Sequence, residues 1–321
     1  MIPYFDEKAV RRILDEKTSF RLALQTFRLV AAGKTSMPPK MYLNLPLGDF
    51  RAMPAFAGAA AGEGAACGIK WISVFPQNRK QGLPTVNGTI LLNSPRTGLL
   101  LAILEANAIT AARTGAAAAV AARFLSNPRP HKLALVGAGL QAVYQLRAHA
   151  ALYRFTEISV WGYFPGEAQK FCNDLRTEFP SLRPETNLRS AVQDADIIVT
   201  CTSSRRPLVR REWVKPGAHI NAIGADAKGK QELDPKLLLV SKIVVDEWEQ
   251  ASHSGEINVP FSQKILTRRH VRAELAEVIS GHKKVRTSTK DITVFDSTGL
   301  AVLDVCFAQH VYRTSTGAGG G

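Results

Sequence analysis

Apolar positions along the chain follow two spacings. Across 6–32 they recur at helical intervals (Val10, Ile13, Leu14, Leu22, Phe27, Val30), and the pattern stops at Met37-Pro-Pro-Lys40. Strand-like runs follow at 41–45, 69–75 and 85–92. Asn93-Ser-Pro-Arg-Thr-Gly98 predicts a turn, and 99–106 predicts a further strand. The stretch 55–66 is mostly Ala and Gly and reads as a mobile loop. Residues 109–124 carry an Ala-rich helical pattern, which Asn127-Pro-Arg-Pro130 ends.

From 131 onward, short apolar runs at 133–136, 158–161, 197–200, 219–223 and 243–246 alternate with helical patterns. That alternation predicts an α/β domain with a doubly wound parallel sheet. The first run leads into Val136-Gly-Ala-Gly-Leu-Gln-Ala142, with a helical pattern over 142–152. Gly137 permits a sharp turn, Gly139 lets bare backbone approach a pyrophosphate, and the small Ala142 lets the helix pack close to the strand. Such a turn also occurs without a ligand. A second strand pattern about 20 residues on favours a dinucleotide-binding unit. A last apolar helix at 300–312 has hydrophobic surface to return to the first region, and 314–321 reads as a disordered tail. The expected organisation is a Rossmann domain over 126–299 and an α+β domain built from 1–125 with 300–321. The Pro-rich stretch would link them.

At 321 residues there is room for two domains, and 45% hydrophobic with 21% charged residues is ordinary for a soluble globular protein. No apolar run is long enough for a membrane span, and Met1-Ile-Pro-Tyr-Phe-Asp-Glu does not read as a signal peptide. Cys67, Cys172, Cys201 and Cys306 lie far apart with no metal-ligand spacing, as expected of reduced cytoplasmic thiols and no bound metal. The net charge of +14 changes the picture little. Its densest groups, such as Arg205-Arg206, Arg210-Arg211 and His282-Lys283-Lys284, are short and lack interleaved aromatics. They fit a basic enzyme surface better than a nucleic-acid interface.

Several charges stand inside apolar or small-residue segments: Lys40, Arg51, Lys70 and Arg113. Each can be a snorkelling surface cation. Arg113 lies in a helix of Ala and Val, so burial is expected, and a buried guanidinium needs an anionic partner such as a substrate carboxylate. Lys70, in the middle of an apolar strand, invites the same argument more weakly. Asp226 follows a predicted parallel strand, where open α/β sheets bind ligands; it can relay protons, hold an amine or simply cap a turn. Asp296-Ser-Thr-Gly299 is a second polar turn at a strand end. A nicotinamide, two or three cations for a carboxylate and one strand-end Asp suit hydride transfer at the carbon of a 2-imino or 2-amino acid.

Many ordered stretches carry a family resemblance: Met37-Pro-Pro-Lys40, Phe50-Arg-Ala-Met-Pro54, Gly68-Ile-Lys-Trp71, Val74-Phe-Pro-Gln-Asn78, Gly82-Leu-Pro-Thr85, Ala112-Arg-Thr-Gly115, Val136-Gly-Ala-Gly-Leu-Gln141, His219 to Asp226, Gly229-Lys-Gln-Glu-Leu-Asp234 and Asp296-Ser-Thr-Gly-Leu300. From about Asp6 to Tyr312 the chain resembles the ornithine cyclodeaminase/mu-crystallin family, most of all its archaeal-type alanine dehydrogenase branch. The resemblance implies a homodimer whose substrate-binding and dimerisation domain packs against a Rossmann domain. It implies that Arg51, Lys70 and Arg113 bind the substrate carboxylate, that Thr85 lines the pocket, and that Lys70 and Asp226 lie nearest the chemistry. It implies cofactor contacts from Thr114, Gly137, Ala138, Gly139, Leu140, Gln141, Thr200, Thr202, Ile223 and Ser297.

Gly162 stands where relatives that use NAD usually carry an Asp, which makes NADP as well as NAD a candidate cofactor. Arg205 or Arg206 would then reach the 2′-phosphate, and Gly162→Asp is expected to shift preference towards NAD. The expected activity is that of an NAD(P)-dependent amino-acid dehydrogenase or ketimine reductase, as in alanine dehydrogenase. Pyrroline-2-carboxylate reduction, ornithine cyclodeamination, with Glu63 as the candidate acid for the distal amine, opine-like condensation and a mu-crystallin-like binding role are the alternatives.

Overall fold

The computed structural model describes residues 1–60 and 64–317. Its contacts divide the chain into two units, Met1–Arg113 with Leu300–Gly321, and Thr114–Gly299. The first division falls between Arg113 and Thr114, inside a long helix, not at the Pro-rich turn where the sequence places the linker.

The strands of the first unit are β1 (Tyr4–Phe5), β2 (Thr35–Ser36), β3 (Met41–Leu45), β4 (Gly48–Ala57), β5 (Ala66–Val74), β6 (Val86–Asn93) and β7 (Leu100–Glu105). They form one sheet in the order β1-β7-β6-β5-β4-β2, with β3 on β4; all pairings are antiparallel except β1 with β7. The helices of this unit are α1 (Glu7–Ile13), α2 (Glu16–Ala31), the N-terminal half of α3 (Ala106–Leu125), and the last helix, Ala301–Thr316. The helical pattern at 6–32 is therefore two helices. Asp15 breaks it by capping the second, accepting from the Thr18 N–H at 2.6 Å. Both ends of the expected loop at 55–66 are strand: β4 runs to Ala57 and β5 starts at Ala66.

Cross-strand register sorts the sheet into two faces. Arg51, Met53, Lys70, Ile72, Ile90, Leu92 and Leu104 share one face and are buried. The last helix packs on β4, β5 and β6. Met41, Leu43, Phe50, Phe56 and Trp71 share the opposite face, where Phe50 stacks on Trp71 at 5.2 Å; Met41 (70%), Leu43 (53%) and Trp71 (42%) are exposed.

The second unit is an eight-stranded parallel sheet of β8 (Lys132–Val136), β9 (Glu157–Trp161), β10 (Leu182–Glu185), β11 (Ile197–Thr200), β12 (His219–Ala222), β13 (Lys242–Val245), β14 (Val271–Glu274) and β15 (Thr293–Asp296). Its helices are α4 (Leu140–Ala150), α5 (Glu167–Leu175), α6 (Leu188–Val192), α7 (Pro235–Val240), α8 (Trp248–Ser254), α9 (Asn258–Ser262) and α10 (Leu275–Ile279); the last helix of the chain is α11. The strand order is β10-β9-β8-β11-β12-β15-β13-β14. The chain leaves β8 first to one side and then to the other, so the β8/β11 boundary is the switch point of a Rossmann sheet. Both faces are covered, as a parallel sheet requires. Leu133 and Leu135 pack with Ala118, Ala142 and Leu146 on one side, and Ala134 and Val136 pack with Ile198 and Ile220 on the other. Among the described residues, no helix is long and apolar enough to cross a membrane.

Candidate active site

Alternation along β5 turns Lys70 towards the buried face of the first sheet, and there it meets Asp304 of α11. Lys70 Nζ lies 2.6 Å from one Asp304 oxygen, and Arg113 Nε, from α3, lies 2.9 Å from the other. All three side chains are buried. Burial drives the Lys70 ammonium down from 10.5 to about 7; Asp304 opposes the shift, and Arg113 and Lys40 add to it. Burial also pushes the Asp304 carboxyl up, but the charges of Arg113 and Lys70 outweigh that and hold it below its ordinary value. The anionic partner that Arg113 demands is thus a residue of the chain, 191 positions away. Asp304 is not among the residues singled out from sequence. Its signal is the one that exposes Arg113: a charge among apolar residues, well before the basic last turn of its helix.

One carboxylate faces two neighbouring cations here, with Lys40 a third charge in range. Asp304 balances one of the two positive charges when Lys70 is protonated. Arg51, also buried, donates to Asp49 at 2.6 Å and lies over the Tyr42 ring at 5.4 Å, so it is held by β3 and β4 partners. Thr85 is in the bend before β6, its carbonyl accepting from the Phe75 N–H. Glu63 lies outside the described residues.

In the second unit the expected cofactor residues other than Thr114 lie at or just beyond the carboxyl ends of the strands. Gly137 has φ +121°, a conformation that disfavours any side chain, and a Cβ there would lie 3.1 Å from Cys201 Sγ. Gly139 caps α4 without a side-chain bond, and a Cβ there would meet nothing within 4 Å. The helix begins at Leu140, two residues before the expected start. Leu140 is exposed, Ala138 half-buried, and the buried Gln141 Nε2 has no hydrogen-bond partner. Open space over a glycine, an uncapped N-terminus of an 11-residue helix and an orphaned amide donor fit a dinucleotide pyrophosphate. Thr114 is buried in α3, its carbonyl accepting from Gln145. The Ile223 N–H donates to Thr200 O, and the Ser297 N–H to Ala222 O.

A clamp that the sequence did not reveal holds these loops. The buried Glu232 carboxylate accepts from Thr200 Oγ1, the Thr202 N–H and Oγ1, and the Gly224 N–H, at 2.7–2.9 Å. A Cβ on Gly224 would lie 2.6 Å from it. Glu256 in turn accepts from the Glu232 and Leu233 N–H groups, Asp296 from those of Glu256 and Ile257, and Asp246 from those of Thr298 and Gly299. Four buried carboxylates, each met by backbone N–H groups, thus bind together the loops after β11, β12, β13 and β15. Burial raises Glu232, Glu256 and Asp296, the last to about 8. Asp226 lies beyond β12, partly exposed and paired with Lys230 at 2.5 Å; it caps no helix.

Gly162 follows β9 directly. A Cβ there would lie 2.6 Å from Glu167 Cβ and 2.9 Å from the Ala168 backbone nitrogen. The start of α5 fills the space, so an Asp at 162 does not fit without displacing that helix, which corrects the expected effect of Gly162→Asp. Arg205 donates to Lys228 O at 3.2 Å, on the turn beyond β12.

The model of the ornithine cyclodeaminase/mu-crystallin family matches residues 9–318. The chain belongs to that family. It is 42% identical to alanine dehydrogenase of Archaeoglobus fulgidus over 312 residues, 96% of this chain and 94% of the relative. A solved archaeal alanine dehydrogenase dimer with bound NAD superposes with a TM-score of 0.93 at 40% identity, covering 100% of this chain and 98% of that one. The Thermococcus litoralis Δ1-pyrroline-2-carboxylate reductase, solved with NADH and L-proline, gives 0.94 at 30% identity, covering 99% and 98%.

Proposed function

We propose that the chain is a cytoplasmic NAD(P)-dependent oxidoreductase, an amino-acid dehydrogenase or ketimine reductase that interconverts a small 2-imino acid and its L-amino acid. The buried Lys70–Asp304–Arg113 cluster carries this reading. Its excess positive charge suits a carboxylate, which Arg113 and Lys70 would hold with Arg51, against a wall that includes Thr85. An ammonium with a pKa of about 7 exchanges its proton readily at neutral pH, which supports Lys70 as the group that protonates or deprotonates the substrate nitrogen. Asp226 serves as the second proton-handling group, on the loop that Glu232 fixes.

Nicotinamide, when bound, supplies or accepts the hydride. Gly137, Ala138, Gly139, Leu140 and Gln141 would hold the pyrophosphate, and Thr114, Thr200, Thr202, Ile223 and Ser297 the rest of the dinucleotide, with the loop at Gly162 beside the adenosine ribose. The apolar face of Met41, Leu43, Phe56 and Trp71 supports a homodimer.

The test follows nucleotide absorbance while the protein is mixed with NADH or NADPH and either pyruvate plus ammonia or pyrroline-2-carboxylate. Oxidation with one pair is expected and names substrate and cofactor together. Silence with every pair, with ammonia released from ornithine in the presence of catalytic NAD, would overturn the reading in favour of a cyclodeaminase. Silence in both would favour a binding role.

A further inference from the structure

Gly162 removes a carboxylate from the end of β9, yet it does not leave the place without one. The Cβ that an Asp at 162 would need lies 2.6 Å from the Cβ of Glu167, the first residue of α5. The Glu167 side chain thus starts beside the position an aspartate at 162 would have occupied, 2.6 Å from where its Cβ would lie. Its Oε2 accepts from the Phe164 N–H at 3.0 Å, which holds the carboxylate over the Gly162–Gly166 loop, and its Cα stands at the start of the helix. Two of the cations that would favour a phosphate here are engaged elsewhere. Lys170 pairs with Asp174 at 2.7 Å, and Arg205 is bonded to the Lys228 carbonyl. The segment 162–169 contains no Lys or Arg.

We infer that Glu167 takes over the ribose-recognition role of the missing strand-end Asp and makes the protein selective for NAD(H) over NADP(H). A carboxylate at the end of the second Rossmann strand accepts from the ribose 2′-hydroxyl and repels a 2′-phosphate. Here the same chemistry is delivered from the first turn of the following helix, and the glycine at 162 is what admits it. The assignment rests on the proposed nicotinamide site and specifies which nucleotide that site prefers.

The experiment measures equilibrium binding of NADH and NADPH to the intact protein by nucleotide fluorescence, with no substrate present. Wild type is expected to bind NADH at least about tenfold more tightly than NADPH, one bidentate or charge-assisted contact being worth roughly that factor. Glu167→Gln keeps an acceptor for the Phe164 N–H while removing the charge. It should tighten NADPH and weaken NADH until the two agree within about threefold, with the melting temperature unchanged. Glu167→Lys should reverse the order. A wild type that binds NADPH as well as or better than NADH would overturn the inference and turn attention to Arg206. A clear NADH preference that survives Glu167→Gln would also overturn it. If neither nucleotide binds wild type, the proposed function itself fails, an outcome separate from a wrong preference.

Discussion

Replacing Asp304 with Asn tests the central cluster at one atom pair. Lys70 and Arg113 are buried cations whose one shared counter-charge is this carboxylate. In wild type the fall of Lys70 from 10.5 to about 7 corresponds to about 5 kcal/mol at 1.36 kcal/mol per pH unit. The unfolded chain binds the Lys70 proton throughout that interval and the folded chain does not. Stability therefore rises as pH increases from about 7 to 10.5, and the penalty is in full force below about 7. Without Asp304, Arg113 cannot shed its charge, and breaking such a pair from one side costs about 3–5 kcal/mol. Lys70 loses its proton still more easily, so the rise begins at lower pH. The assay is urea denaturation of both proteins at fixed subunit concentration across this pH range, with the pH profile of kcat/KM alongside. The variant should be less stable by that amount at neutral pH, with its Lys70-dependent limb moved to lower pH. Equal stabilities and superimposable profiles, or a wild type that grows less stable between pH 7 and 10.5, would refute the electrostatic account.

Gly139→Ala should leave the melting temperature unchanged, because its φ of −89° and open surroundings accept a methyl, yet weaken nucleotide binding about tenfold or more by filling the pyrophosphate space. Gly137→Ala should instead destabilise the fold by about 1–3 kcal/mol, given its φ of +121° and the thiol behind it, as thermal melting would show. Glu232→Gln presents four donors with half the acceptor capacity. It should cost about 1–3 kcal/mol and raise the nucleotide dissociation constant; an unchanged constant in a folded variant would remove Glu232 from cofactor positioning. Asp226→Ala should lower kcat by about 10²–10⁴ while the nucleotide dissociation constant stays put. A kcat within a few-fold of wild type would show that Asp226 moves no proton.

The alternation of short apolar runs with helical patterns announced the Rossmann sheet, since each parallel strand buries both faces and stands out in sequence. β10 and β14 did not stand out. Leu182-Arg-Pro-Glu185 and Val271-Arg-Ala-Glu274 lie at the edges of the sheet, where half the surface is polar. The Ala-containing end of β4 was unreadable for another reason. Small residues have little strand preference of their own, and pairing to β5 through Ala57↔Ala66 decides their state. Within the site, the isolated charges Lys70 and Arg113 were legible one at a time. Their meeting at Asp304 was not, because no local pattern links residues so far apart in the chain. Glu232 lies in a stretch that carries the family resemblance, but its role was not legible there because it comes from the loops the side chain reaches.

The apolar face of the first sheet also bears on how the protein is made. A newly completed subunit shows Met41, Leu43, Phe56 and Trp71 to solvent on strands already paired to their neighbours. Until that face is covered, each chain is a sticky surface whose fate depends on what it meets first. If the proposed homodimer covers this face, yield on overexpression should follow the rate at which subunits find one another, and a polar residue at Trp71 or Leu43 should give a chain that folds but stays a monomer, as its sedimentation would show.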